Sequence, residues 1–210
     1  MRARLIGITG PSGSGKSTLA RAVQARLAPG QCGVLPLDAF YRDLAHLAPA
    51  ERGQTNFDAP EAINTELLFA QLRRLREGEA IDLPCYDFVT HTRSPSRGLF
   101  GPHVLVLIEG LFVLHWPELR ALLDQALYLD VPDDVALERR IERDLRERGR
   151  DRQSVIDRYR ATVRPMAERY VHPMRHKAGL ILDGTRPVDE LSAVTFQAIC
   201  RESPIPVPDP

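Results

Sequence analysis

Arg4-Leu-Ile-Gly-Ile-Thr-Gly-Pro-Ser-Gly-Ser-Gly-Lys-Ser-Thr18 is the stretch on which the fold turns. Its apolar start (Leu5, Ile6, Ile8) breaks at Gly10, passes three glycines and enters a helix-favouring run from Lys16 to Leu27. Strand, loop and helix follow one another within one short segment. The spacing Gly10-x-x-x-x-Gly15-Lys16-Ser17 is the phosphate-loop pattern, and each position has a mechanical reason. Glycines let backbone N–H groups turn inward and let a phosphate approach. The helix start aims unpaired N–H groups and a positive dipole end at the same anion. Lys16 reaches the β and γ phosphates, and the Ser17 hydroxyl can ligate magnesium. Residues Gly10, Pro11, Ser12, Gly13, Ser14, Gly15, Lys16, Ser17 and Thr18 are therefore assigned to nucleotide binding. Arginine outnumbers lysine 26 to 2 in this chain, so a lysine here reflects the need for a compact ammonium rather than a planar guanidinium.

The bulk numbers bound the rest. A chain of 210 residues with 43% hydrophobic content is long enough for a real core and too apolar for disorder. Its longest apolar run, Val104 to Ile108 continuing past Glu109, is too short to cross a bilayer. Met1-Arg2-Ala3 leads straight into the loop, which does not read as a signal peptide. Cys32, Cys85 and Cys200 are odd in number and widely spaced, the usage of a reducing compartment, so a cytoplasmic protein is predicted. Charges balance at 28 against 28, and nothing points to nucleic acid or membrane.

Working outward, strands are predicted at Arg4 to Thr9, Gly33 to Leu37, Val104 to Ile108, Ala126 to Val131 and Gly179 to Leu182. Helices are predicted from Lys16 to about Ala28, and at Ala62 to Glu77, Glu118 to Leu123, Asp133 to Arg148, Gln153 to Met174 and Val188 to Cys200. This alternation calls for an α/β fold, a five-stranded parallel sheet flanked by helices. Between them, Leu83 to Arg93 followed by a turn at Ser94-Pro95-Ser96 reads as a small β-hairpin. The tail Ser203 to Pro210, proline at every second residue, reads as an extended mobile end.

Two carboxylates fall at strand ends, where ligands of open α/β sheets collect. Asp38 sits where it could accept the proton of an attacking hydroxyl and touch the magnesium shell, and Glu109 ends a fully apolar strand on the magnesium side. From Arg139 to Arg152 there are seven arginines (139, 140, 143, 146, 148, 150, 152) against four acids. A solvated helix with i, i+4 pairs is one reading, and an Arg-rich lid closing over a triphosphate accounts better for the surplus. No Asn-Lys-x-Asp motif is present to read guanine as in GTPases, and no Leu-Ser-Gly-Gly as in transporter ATPases. His172 and His176 have metal-like spacing, but Pro173 lies between them, and they are read as structural. Tyr41 and Arg42 are read as loop residues near the mouth of the site.

In order, Gly10 to Ser17, Asp38-Ala-Phe-Tyr-Arg-Asp-Leu44, Asn56-Phe-Asp58, Pro84-Cys-Tyr-Asp-Phe-Val-Thr-His-Thr-Arg93, Glu109-Gly110, Arg139-Arg-Ile-Glu-Arg-Asp144, Glu147-Arg-Gly-Arg-Asp151 and Thr162-Val-Arg-Pro-Met166 resemble the uridine kinase (uridine-cytidine kinase) family of P-loop kinases. The resemblance spans about residues 4 to 184. It implies magnesium-dependent phosphorylation of the 5′-hydroxyl of uridine and cytidine by ATP or GTP, in pyrimidine salvage. Asp38 matches the catalytic carboxylate, and Ser17, Glu109 and Asp38 the magnesium site. Asp58 matches a ribose contact, Tyr86, Phe88 and His91 the base pocket, and Arg140 and Arg150 substrate contacts. Arg143 and Arg148 match lid residues that join Lys16 near the phosphates. A homo-oligomer, a tetramer in many relatives, is implied in the same way. The resemblance then divides the chain into one nucleoside kinase domain over 1–202, with the hairpin at 83–101 over the substrate site, a lid at 136–160 and the tail at 203–210. Arg158, Ala59 and Ala136 depart from the glutamine, histidine and arginine frequent at those places.

His91 fits a pyrimidine on its own chemistry, since a neutral imidazole donates or accepts according to tautomer and could face a uracil carbonyl or a cytosine amine. A structural histidine in a polar hairpin is the competing reading. The competing functions are a related P-loop kinase acting on another small-molecule hydroxyl (ribulose phosphate, pantothenate or nicotinamide riboside) and a nucleotide-binding regulator without turnover.

Overall fold

The computed structural model describes residues 2–202, except for the side chains of residues 95, 97, 147, 148 and 202. The proline-rich tail at 203–210 lies outside the described residues. Five strands form one parallel sheet: β1 (Arg4–Thr9), β2 (Cys32–Pro36), β5 (Leu105–Glu109), β6 (Gln125–Asp130) and β7 (Leu180–Asp183), in the order β2-β5-β1-β6-β7. The helices are α1 (Lys16–Gln24), α2 (Pro49–Arg52), α3 (Thr65–Arg76), α4 (Pro117–Leu122), α5 (Asp133–Arg148), α6 (Arg152–Arg158), α7 (Arg164–Met166) and α8 (Val188–Glu202). The antiparallel hairpin is β3 (Ile81–Asp87) and β4 (Thr92–Phe100).

The sheet strands are apolar on both faces because helices cover both. Along β1 and β5 neighbouring residues alternate between two cores. Leu5, Val106 and Ile108 pack with Leu68 and Leu72 of α3, and Ile6, Ile8, Leu105 and Leu107 pack with Leu19 and Val23 of α1 and Leu191 of α8. Register then places the chemistry. Glu109 pairs with Ile8 on one side and Pro36 on the other, so the ends of β1, β2 and β5 lie level. With β5 inserted between β1 and β2, the loops leaving those two strands diverge and a crevice opens above Glu109.

Several predicted boundaries are corrected. The helix predicted from Lys16 to about Ala28 closes at Gln24. The turn placed at Ser94-Pro95-Ser96 lies instead at residues 88–91, and 94–96 belong to β4. Asp87 makes that turn: its Oδ1 accepts the N–H groups of Val89 (2.8 Å) and Thr90 (3.3 Å), its Oδ2 accepts the Thr90 hydroxyl (2.8 Å), and His91 takes φ 55°. The helix predicted from Gln153 to Met174 is not one regular helix. After α6 it widens into π turns at Tyr159–Val163 and Ala167–Val171 and tightens to a 3₁₀ turn at His172–Lys177. Pro165 and Pro173 explain this, since each lacks an N–H and its ring would strike the carbonyl four residues earlier in a regular helix.

Candidate active site

At the crevice the phosphate loop is built as its sequence requires. Gly13 has φ +87°, and a Cβ there would lie 2.2 Å from the Ala136 carbonyl oxygen, so α5 packs directly on the loop. Lys16, buried and only 8% exposed, donates to the carbonyls of Gly10 (2.9 Å) and Pro11 (2.8 Å). Burial lowers its pKa to about 8, opposed by the nearby carboxylates of Glu109 and Asp38. The Ser17 hydroxyl donates to Glu109 Oε1 at 2.8 Å. Glu109 is raised above the usual carboxylate range by its burial first and then by Asp38. A hydroxyl and two carboxylates so arranged form an all-oxygen set with excess negative charge, which suits magnesium.

Residues Ser12 to Thr18, Asp38 and Glu109 line a cavity of about 1040 Å³ that also takes in Asp58, Tyr86, Phe88, His91, Arg140, Arg143 and Arg150. Gly10 and Pro11 serve it indirectly, through the carbonyls that hold Lys16. The side chain of Arg148 lies outside the described residues. Arg140 joins the two ends: its Nη1 donates to Ser12 Oγ at 2.8 Å and lies 3.9 Å from Asp58 Oδ1. Arg139 Nη1 donates to Gly184 O at 2.8 Å. Asp144, fully buried, accepts from Arg143 Nε (3.0 Å) and Nη2 (2.8 Å) and from Arg150 Nη1 (3.0 Å).

Opposite the loop, the hairpin closes an aromatic box. Tyr86 stands edge-on to Tyr41 and Phe88, each with ring centroids 5.4 Å away, and His91 stacks on Phe57 at 4.6 Å with 18° between planes. Among the described residues the Tyr86 hydroxyl is buried without a hydrogen-bond partner, and burial pushes its pKa up to about 12.

Tyr41, expected as a loop residue near the mouth of the site, lines the cavity from outside the named strands and helices. It is a buried wall of the box, 5% exposed, bridged to Ile63 and donating from its hydroxyl to Phe57 O at 3.2 Å. Arg42 instead donates to Glu61 O at 3.0 Å. Phe57, Asp144 and the Thr185–Val188 segment were also not anticipated. Phe57 directly precedes Asp58, which could have drawn attention to it. Thr185 and Val188 line the cavity just past the end of β7, the same sheet edge that carries Asp38 and Glu109. Asp144 carries no signal beyond its spacing from arginines.

A five-stranded parallel sheet, a phosphate loop and two carboxylates at one sheet edge now stand together. The sequence pattern of the Phosphoribulokinase / Uridine kinase family matches residues 5–190. The chain belongs to this family. It is 41% identical over 182 residues to a uridine kinase of Shewanella baltica (strain OS155 / ATCC BAA-1091), covering 85% of this chain and 86% of that one. It is 42% identical over 178 residues to a uridine kinase of Ligilactobacillus salivarius (strain UCC118), covering 85% and 84%. The crystal structure of a candidate fructose transport system kinase from Silicibacter sp. TM1040 superposes with TM-score 0.71 at 26% identity, covering 86% of this chain and 90% of that one. As a member of the family the protein is a kinase, with a nucleotide phosphate donor and a small-molecule acceptor.

Proposed function

We propose that the protein transfers the γ-phosphoryl group of ATP or GTP to the 5′-hydroxyl of uridine and cytidine. The observation that carries the acceptor is Tyr86, whose buried hydroxyl lacks a partner among the described residues, inside an aromatic box that shares one cavity with the phosphate loop. A box of that kind takes a flat ring, and a buried donor selects a ring that offers an acceptor. His91, held parallel to Phe57, presents a nitrogen whose tautomer can answer a uracil carbonyl or a cytosine amine. Asp58 accepts from ribose hydroxyls, with Arg140 Nη1 3.9 Å from its Oδ1.

The loop N–H groups and Lys16 hold the triphosphate, and Arg143 offsets charge on the transferred group. Asp38 takes the proton of the 5′-hydroxyl as its oxygen bonds to the γ-phosphorus. The bond from that phosphorus to the β–γ bridging oxygen breaks, and the nucleoside diphosphate, ADP or GDP, leaves. Ser17, Glu109 and Asp38 would hold magnesium, which when bound neutralises phosphate charge.

The test is ADP formation from magnesium-ATP against uridine, cytidine, thymidine, adenosine, nicotinamide riboside, pantothenate and ribulose phosphate, compared by kcat/KM. Turnover confined to uridine and cytidine is expected, and a different preferred acceptor overturns the proposal. Asp38→Asn should keep ATP binding and lose about 10²–10⁴-fold in transfer; unchanged turnover removes Asp38 from its role.

A further inference from the structure

We propose that Asp144 is the positioning residue of the arginine cluster, one buried carboxylate that sets the spacing between guanidiniums facing the phosphates and those facing the acceptor. This rests on the kinase reading above. A carboxylate with no solvent exposure persists only among cations and donors. Arg143 grips Oδ1 with two N–H groups, at 3.0 and 2.8 Å. Arg150 reaches Oδ2 at 3.0 Å from beyond the end of α5, where Gly149 at φ 60° turns the chain and the Arg150 N–H donates to Asp144 O at 3.3 Å. Arg140, one turn earlier, has its Nε 3.9 Å from Oδ2 and its far end on Ser12.

Asp144 itself does not line the cavity; Arg140, Arg143 and Arg150 do. The Arg143 and Arg150 side chains keep 31% and 27% of their exposure, and each has N–H donors beyond those given to Asp144. The carboxylate therefore anchors one side of each guanidinium and leaves the other for ligand. Because one acceptor serves several arginines, displacing one changes the restraint on the rest, and the phosphate and acceptor ends become coupled.

Asp144→Asn keeps the side-chain volume and one acceptor oxygen but removes the charge. It should lower kcat about 100-fold, the scale of a misplacement of about 1 Å, with the Kd for ATP measured without acceptor changed less than about threefold. A role confined to stability would lower the folded fraction and leave kcat per folded molecule intact. The deciding readout is a double-mutant cycle in kcat: in an Arg143→Gln background, Asp144→Asn should add less than about threefold, whereas multiplicative losses overturn the proposal. If Asp144→Asn does not fold, Arg143→Gln, Arg150→Gln and their double variant serve instead, with non-multiplicative losses expected and multiplicative ones overturning it. Wild-type protein that phosphorylates no nucleoside overturns the nucleoside-kinase reading, whereas wild-type turnover with multiplicative losses overturns only the assignment of Asp144.

Discussion

Tyr86 shows how much one buried atom can say. Its hydroxyl is a donor withdrawn from water and left for a ligand, and Tyr86→Phe should remove one hydrogen bond of about 1 kcal/mol, roughly a fivefold rise in nucleoside KM, with kcat little changed. The same burial fixes a pH response. Its folded value of about 12 lies above the ordinary 10.0, so the unfolded chain releases the proton first. The contribution of this group to stability is full below pH 10.0 and is lost as pH rises toward 12. Nucleoside KM should accordingly be flat from about pH 7 to about pH 9, and thermal melts above pH 10.0 should show wild type losing stability that Tyr86→Phe retains.

Among the elements, α5 and the hairpin carry the site. The helix rests on the phosphate loop at Gly13, so Gly13→Ala introduces both a left-handed backbone penalty of about 1–2 kcal/mol and a collision with the Ala136 carbonyl. A lower urea midpoint at unchanged slope and weakened ATP binding should appear together. The hairpin is held to the chain after β2 by Arg93, which donates to Tyr41 O (3.0 Å) and Phe40 O (3.3 Å). Arg93→Ala removes charge-assisted bonds of about 1.5–3 kcal/mol. Nucleoside KM should rise tenfold or more by that estimate, with ATP KM within about twofold, measured by initial rates. Element types were legible because a strand buried on both faces reads as a short apolar run, as β1 does, and a helix as a longer run without breakers, as α5 does. The break after Arg158 was not, because the apolar pattern continues through Pro165 and Pro173 while the hydrogen bonding does not.

For the whole molecule the formal charge is zero, yet arginines crowd one cavity. Such concentrated charge is felt by a triphosphate and hardly by a neutral nucleoside. Raising salt from about 0.1 to about 1 M shortens the screening length from about 10 to about 3 Å. ATP KM should then rise several-fold and uridine KM stay nearly constant, as steady-state rates would show. Among the described residues no helix is long and apolar enough to cross a membrane.

By itself the sequence determined the phosphate loop, the parallel sheet, the two carboxylates at strand ends and the arginine surplus. Each is written in neighbouring residues or in a local period, and a glycine spacing or an apolar run ending in an acid carries its physics within a few positions. Only the tertiary structure decided that Tyr41 is buried as a wall of the box, that His91 stacks on Phe57 and that Asp144 gathers arginines from both sides of a helix end. Tyr41 reaches Tyr86, and Phe57 reaches His91, across tens of residues of chain. Such pairings are set by where the sheet edge and the hairpin leave room, and burial far from a residue's own segment decides which of its atoms remain for a ligand.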